Sequence, residues 1–351
     1  MKKLVFILIL IIFIPISCKA CIIIHNLLSL DNPFYFYVLN PGLIYHPKYG
    51  TIFPPNTKLY SFKINSRGFP DKEWIYEKKG KRMIILGDSQ AAGVGLKNVE
   101  DRFSSILQRK LPGWEIMNAS IPGWGTKNQY AFFSSEGQKY NPDIVLLAHY
   151  ENDLVDNVNY YSTFATHIYN LLGWTYNYII PPIALASYLF LDLGSKLSTE
   201  LAKIRFRRWY LAYVILYTNN ELAEEVWVEQ LNLLKKFKEK AEQVGSNFIV
   251  MSIPLSLSLS KDLCLRVYSN FASIFNVSNL RLQCKIGTTT YNRLKYFFNE
   301  ENIKNIMFQD YINSYQDPMT IFGMDKVHLN EVGHKIIADI IYEYLVSNGL
   351  Q

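Results

Sequence analysis

Arg82 to Gly95, RMIILGDSQAAGVG, is the stretch whose reading decides the fold. Met83 to Leu86 is a short apolar run rich in isoleucine, and it stops at Gly87-Asp88-Ser89-Gln90. Small residues and glycines follow. Beyond them Phe103, Ile106, Leu107 and Leu111 recur at helical spacing. The pattern predicts strand, tight loop and helix, with Ser89 at the carboxyl end of the strand. Open α/β sheets bind and react at such ends, where a helix N-terminus also presents free N–H donors. Ser89 is therefore the candidate nucleophile, and helix capping is its simplest structural role. Gly93 and Gly95 do not make a nucleotide loop, because the G-x-G-x-x-G spacing and a Walker lysine are both absent.

The same alternation continues outward. Trp114 to Asn118 reads as a second strand, ending in Ala119-Ser120-Ile121-Pro122-Gly123-Trp124-Gly125, and a helix is expected over Thr126 to Lys139. Asn141-Pro142-Asp143 breaks that helix. Ile144 to Ala148 is a continuous apolar run of the kind buried on both faces of a sheet, and it runs out at His149-Tyr150-Glu151-Asn152-Asp153. Glu221 to Val244 reads as an amphipathic helix with Val228, Leu231, Leu234 and Phe237 among its core positions. Asn247 to Ile253 reads as a strand. The chain closes with Asp325-Lys326-Val327-His328 and a helix from about Glu331 to Ser347, whose apolar face is read as Val332, Ile336, Ile337, Ile340 and Tyr344. Repeated strand–helix units imply a three-layer α/β/α sandwich around a parallel central sheet.

With 351 residues and 49% apolar side chains, the chain has enough material for a large core. The formal charge of +6 is spread without a basic block, so nucleic acid is not indicated as a partner. Lys2 and Lys3 precede the apolar run Leu4 to Ile16, and residues 21 to 30 are largely apolar again. Residues 1–30 therefore read as a signal peptide or an N-terminal membrane anchor, with Ser17-Cys18 resembling the end of a lipoprotein signal. Each of these fates exports the remainder of the chain, because the leading positive charges hold the N-terminus inside. The expected location is the outer side of a bacterial cell membrane, on a single anchor or as a lipoprotein, with secretion after cleavage as the alternative.

Residues 31–80 are rich in aromatics, prolines and turn residues and read as a small β-element on the main domain, which occupies 81–351. Residues 160–220 do not fit the strand–helix repeat. They begin with an uncharged stretch interrupted by Pro181-Pro182 and turn basic at Lys203 to Arg208, and they read as a helical insertion near the bilayer. Residues 255 to 320 read as a long connection. It contains Cys264 and Cys284, which are either a disulfide or two core thiols. Cysteine and histidine do not cluster, so neither a zinc site nor any other metal is expected. His334 reads as a surface or capping residue, and His149 as a packed core group.

In a parallel sheet the carboxyl ends share one edge, so Ser89, Gly123, Asn152, Asp325 and His328 can converge. Acyl transfer by serine needs a base, a group that orients the base, and donors for the oxyanion. Gly87-Asp88-Ser89, the Gly123 loop, Glu151-Asn152-Asp153 and Asp325-x-x-His328 resemble the four ordered blocks of the SGNH (GDSL-like) hydrolases. Asn65-Ser66-Arg67-Gly68-Phe69 resembles a segment often found ahead of the first block. The resemblance covers about 81–158 and 221–348.

It implies a flavodoxin-like SGNH hydrolase fold and an ester hydrolase that needs no cofactor. Ser89 would be the nucleophile, His328 the general base and Asp325 its orienting carboxylate. The Ser89 and Gly123 amides and the Asn152 side chain would form the oxyanion hole, with Asp88 and Asp153 holding the loops. The departure is Tyr150-Glu151, where many members carry a glycine two residues before the asparagine; a glutamate there is expected to narrow or repolarise the acyl pocket. Location and family together point to an O-acyl ester, in particular an O-acetyl ester, of a cell-envelope carbohydrate. The alternatives are an O-acyltransferase, a lipase or phospholipase, and an anchored binding protein that keeps the fold.

Overall fold

The computed structural model describes residues 43–59, 62–158, 221–265, 288–312, 315 and 317–351. The leader or anchor at 1–30, the insertion at 160–220 and Cys18, Cys21 and Cys284 lie outside the described residues. Cys264 is disulfide-bonded. No helix among the described residues is long and apolar enough to cross a membrane.

Two small antiparallel hairpins precede the main sheet. Strand β1 (Ile44–His46) pairs with β2 (Gly50–Ile52), and β3 (Lys58–Leu59) with β4 (Phe62–Lys63). The segment after them is organised by Asn65, whose Oδ1 accepts from the N–H groups of Arg67 and Phe69, both at 3.0 Å, while its amide donates to the Lys72 carbonyl. Gly68 adopts φ 84°, and a Cβ there would lie 2.7 Å from the Phe53 carbonyl oxygen, so only glycine fits. The turn delivers the fully buried Phe69 into an aromatic cluster with Trp74, Trp124 and Phe132. Trp124 ties this cluster to the first hairpin by donating from its indole to the Thr51 carbonyl at 2.8 Å.

The central sheet has five parallel strands: β5 (Lys81–Gly87), β6 (Trp114–Ser120), β7 (Ile144–Tyr150), β8 (Asn247–Ile253) and β9 (Lys304–Met307). Their order is β6-β5-β7-β8-β9. Met83 to Leu86 and Ile144 to Ala148 are essentially inaccessible, as continuous apolar runs covered on both faces must be. From β5 the chain first moves outward to β6. It then crosses back to β7 and continues through β8 to β9. The direction of winding therefore reverses between β5 and β7, which makes their carboxyl ends the switch point of the sheet.

Among the described residues the α-helices are α1 (Ser89–Ala92), α2 (Phe103–Lys110), α3 (Thr126–Ser135), α4 (Asp153–Val158), α5 (Glu221–Gln243), α6 (Ser256–Leu259), α7 (Thr288–Glu300), α8 (Phe308–Ile312) and α9 (Glu331–Ser347). Helix α9 packs on α2, and α5 packs on α3 and β8. Right-handed crossovers put the first pair and the second group on opposite faces of the sheet.

Three expectations need correction. Residues 255–320 are not merely a connection, since they hold α7 and β9, the fifth strand of the sheet. Val228 is 54% exposed and Val332 52% exposed. The buried stripe of α5 runs instead through Ala223, Val226, Trp227, Gln230, Leu234, Phe237 and Ala241. That of α9 runs through His334, Ile337, Ala338, Ile340, Ile341 and Leu345, so Ile337 and Ile340 lie in it as expected. Helix α3 also ends earlier than its pattern suggested, at Ser135, and a 3-10 turn over Gly137–Tyr140 follows.

Candidate active site

The site grows from the end of β5. Asp88 caps α1, accepting the Gln90 N–H on Oδ1 at 2.8 Å, and its Oδ2 receives the Ser89 hydroxyl at a long 3.3 Å. Ser89 is the first residue of α1, so its own N–H has no partner within the helix. The second strand end supplies the turn Ile121-Pro122-Gly123-Trp124, closed by the Trp124 N–H donating to the Ile121 carbonyl at 3.1 Å. Proline at the second position and Gly123 at φ 79° define a type II turn. Gly123 is exposed, and a Cβ built on it would meet nothing within 4 Å. Its N–H makes no hydrogen bond among the described residues. Asn118 holds this strand end to the helices, donating to the Ala91 carbonyl at 2.8 Å and to the Ser104 hydroxyl at 2.9 Å.

The third strand end carries Asn152. Its amide donates to Asp156 Oδ2 at 3.0 Å, while its Oδ1 is buried without a partner among the described residues. Burial pushes the Asp88 carboxyl up to about 6; the charge of Asp156 adds to this, and the Gln90 N–H, His328 and Asn152 oppose it. Asp153 is raised well above the ordinary carboxylate range by burial and by the charges of Asp88 and Asp156. Its Oδ2 accepts from Thr126 and Gln129, both at 3.3 Å, so it braces α3 against α4.

The last loop carries His328, the candidate base. His328 Nδ1 lies 2.6 Å from Asp325 Oδ2, and Asp325 Oδ1 accepts the N–H groups of Val327 and His328, both at 3.0 Å. A carboxylate three residues before the imidazole therefore sets both the loop and the ring. Partial burial pushes the Asp325 carboxyl up, but the His328 contact and the two N–H groups outweigh it and hold the group below its usual value. Lys326 takes the left-handed φ of 56° that lets the loop close on itself. The loop is fastened to the turn carrying Ser89 by Gln90, a residue that sequence reasoning passed over: its amide donates to the Val327 carbonyl at 2.8 Å and accepts the Leu329 N–H at 3.0 Å.

The glutamate expected to disturb the acyl pocket does something else. Glu151 is buried and accepts the Leu255 N–H at 2.8 Å and the Ser258 hydroxyl at 2.6 Å, so it organises the turn after β8. Burial pushes its carboxyl up from 4.5 to about 7, with the Ser258 and Leu255 bonds pulling the other way. Between those two values the folded chain keeps a proton that the unfolded chain has released. Stability therefore falls as pH rises through this window and stays lowered above it. Glu151→Gln keeps an acceptor for both donors and carries no charge. Its melting temperature should match the wild type near pH 4.5 and exceed it at pH 8, as differential scanning calorimetry would show; equal melting temperatures at both values would contradict the assignment.

His334 and His149 are structural. His334 is fully buried in α9, stacked on Phe103, and its Nδ1 accepts the Phe103 N–H at 3.3 Å. It caps α2, and it is not at the surface. His149 is buried with neither ring nitrogen partnered, and burial lowers it to about 4, so it stays neutral. Among the described residues no group of three or more His, Cys, Asp or Glu side chains is placed to hold a metal ion.

No family model matches the chain, and no curated protein matches it. Solved structures do superpose on it. A lipase/acylhydrolase from Enterococcus faecalis shows 12% identity and a TM-score of 0.41, over 76% of this chain and 96% of its own. The acetyl xylan esterase AlAXEase shows 14% identity and a TM-score of 0.42, over 75% of this chain and 99% of its own. The structure of TesA shows 12% identity and a TM-score of 0.40, over 76% and 98%. Superpositions this loose carry nothing about chemistry, which has to come from the residues of the site.

Proposed function

We propose that the chain is an SGNH-type serine ester hydrolase that cleaves O-acyl groups, O-acetyl in particular, from a cell-envelope carbohydrate. The observation that carries this is the 2.6 Å Asp325–His328 contact on a loop fastened to the residue beside Ser89. An imidazole whose Nδ1 proton is held by an ionised carboxylate presents a basic Nε2. In the reaction the Ser89 hydroxyl would leave Asp88 and turn toward that base. Oγ then attacks the acyl carbonyl as its proton passes to Nε2. The tetrahedral oxyanion faces the free N–H groups of Ser89 and Gly123, with the Asn152 amide as a third donor. Collapse expels the alcohol, which takes the proton from the imidazolium, and water repeats the cycle to release the acid. The disulfide at Cys264 and the leader-like residues 1–30 support a site outside the cytoplasm, held at the membrane by the N-terminal segment. That location is what favours an envelope polysaccharide as the alcohol half.

The test is turnover of p-nitrophenyl acetate and p-nitrophenyl octanoate by the full chain in detergent. Acetate should be the better substrate, and Ser89→Ala and His328→Ala should each lower turnover by about 10⁴-fold or more. A clear preference for octanoate would replace the carbohydrate esterase with a lipase. Absence of turnover combined with fluorophosphonate labelling of Ser89 would point to acyl transfer onto an acceptor hydroxyl. Absence of both would sink the reading.

A further inference from the structure

Gln90 follows Ser89 on the rigid α1 turn and is 1% exposed. Its side-chain amide meets the backbone on either side of His328, donating to the Val327 carbonyl at 2.8 Å and accepting the Leu329 N–H at 3.0 Å. This is the pairing that a neighbouring strand would make, performed by one side chain across 237 and 239 residues of sequence. Tyr150 reinforces it from the end of β7, since its hydroxyl donates to the same Val327 carbonyl at 3.1 Å. The rest of the loop is held by bonds that do not involve α1. Gly323 N–H donates to the His328 carbonyl at 2.7 Å, and the Ser256 hydroxyl donates to the Lys326 carbonyl. Gln90 is therefore the side chain that couples the position of His328 directly to the turn carrying Ser89.

We propose that Gln90, supported by Tyr150, is the positioning residue that sets the distance between the Ser89 hydroxyl and the His328 imidazole. It acts through the backbone of residues 327 and 329. The inference rests on Ser89 and His328 being nucleophile and base. A side chain that fixes a reacting distance, and not substrate contacts, should affect turnover far more than apparent affinity, because displacement by about 1 Å costs roughly 100-fold in rate.

Q90M keeps the length and volume of the side chain and removes both bonds. For the full chain acting on p-nitrophenyl acetate, kcat should fall about 10- to 100-fold with KM within about twofold of wild type. Y150F removes one of the two donors to the Val327 carbonyl and should lose less. A second readout needs no substrate. The hydrogen-bonded His328 Nδ1 proton should give a low-field proton NMR resonance in the wild type, assigned by its loss in H328A, and Q90M should broaden or shift it. A kcat within about twofold of wild type, a loss carried by KM, or an unchanged low-field resonance would each overturn the proposal. Wild-type turnover that survives S89A would remove the nucleophile reading instead, and the resonance would still decide whether Gln90 holds the imidazole.

Discussion

Asp325→Asn should lower kcat on p-nitrophenyl acetate by about four orders of magnitude with little change in KM, the scale seen when an orienting aspartate is replaced in a serine triad. The reason lies in how the two carboxylate oxygens are used. Oδ1 accepts two backbone N–H groups, from Val327 and His328, and Oδ2 meets the imidazole Nδ1 at 2.6 Å. An asparagine must put its single oxygen where the two N–H groups are, since its NH₂ there would face two other donors. The NH₂ is then forced against Nδ1, which has to accept, so the ring carries its proton on Nε2. In that tautomer Nε2 cannot take a proton from serine. The loop survives because its backbone bonds survive, so the loss should appear as turnover and not as unfolding. Asp325→Ala is a poorer probe because it also frees the two N–H groups. Steady-state kinetics beside a thermal melt separates the two. An asparagine variant within about tenfold of wild type in kcat would remove Asp325 from the orienting role.

Much of this site was legible because each block sits where a strand stops. Ser89, Gly123 and Asn152 end three runs whose apolar character marks buried parallel strands, and strands of one parallel sheet must bring their carboxyl ends to one edge. Asp325 and His328 could be joined because three residues span one tight loop. Gln90 could not be read in this way. Its partners lie more than 230 residues away, and nothing in a glutamine after a serine signals that its amide will pair with a distant backbone. Glu151 shows the opposite failure, since its neighbourhood in sequence suggests the oxyanion hole, but in the turn just past β7 its side chain goes to Leu255 and Ser258. Strand β9 was missed because Lys304–Met307 is only four residues long, too short for periodicity to separate from a loop. Val228 and Val332 were assigned to the core because they are apolar at helical spacing. Each sits at the edge of the buried stripe, where a small phase error moves a residue from the sheet into solvent.

The second large effect is expected far from the chemistry, at Asp71, where the N-terminal segment meets the edge of the sheet. Its Oδ2 accepts from the Trp74 indole and from the Asn118 N–H of β6, both at 2.8 Å, and its Oδ1 pairs with Arg102 at 3.2 Å. Arg102 is 2% exposed, donates to the Pro70 carbonyl at 2.6 Å and lies over Phe62. Burial lowers its pKa, and the charge and hydrogen bond of Asp71 are what oppose that burial most. Asp71→Ala would leave a buried guanidinium without its carboxylate and an edge-strand N–H without an acceptor. Breaking a buried pair from one side costs about 3–5 kcal/mol, which corresponds to a drop on the order of 10 °C in melting temperature. The double variant Asp71→Ala/Arg102→Met removes both charges and should recover a substantial part of that loss, since a buried ion pair replaced on both sides by apolar groups is often close to neutral. Melting curves by circular dichroism decide between charge and packing. If the double variant melts no higher than Asp71→Ala, the stranded guanidinium is not the cause, and the cost belongs to the hydrogen bonds that Asp71 accepts from Trp74 and the edge of β6.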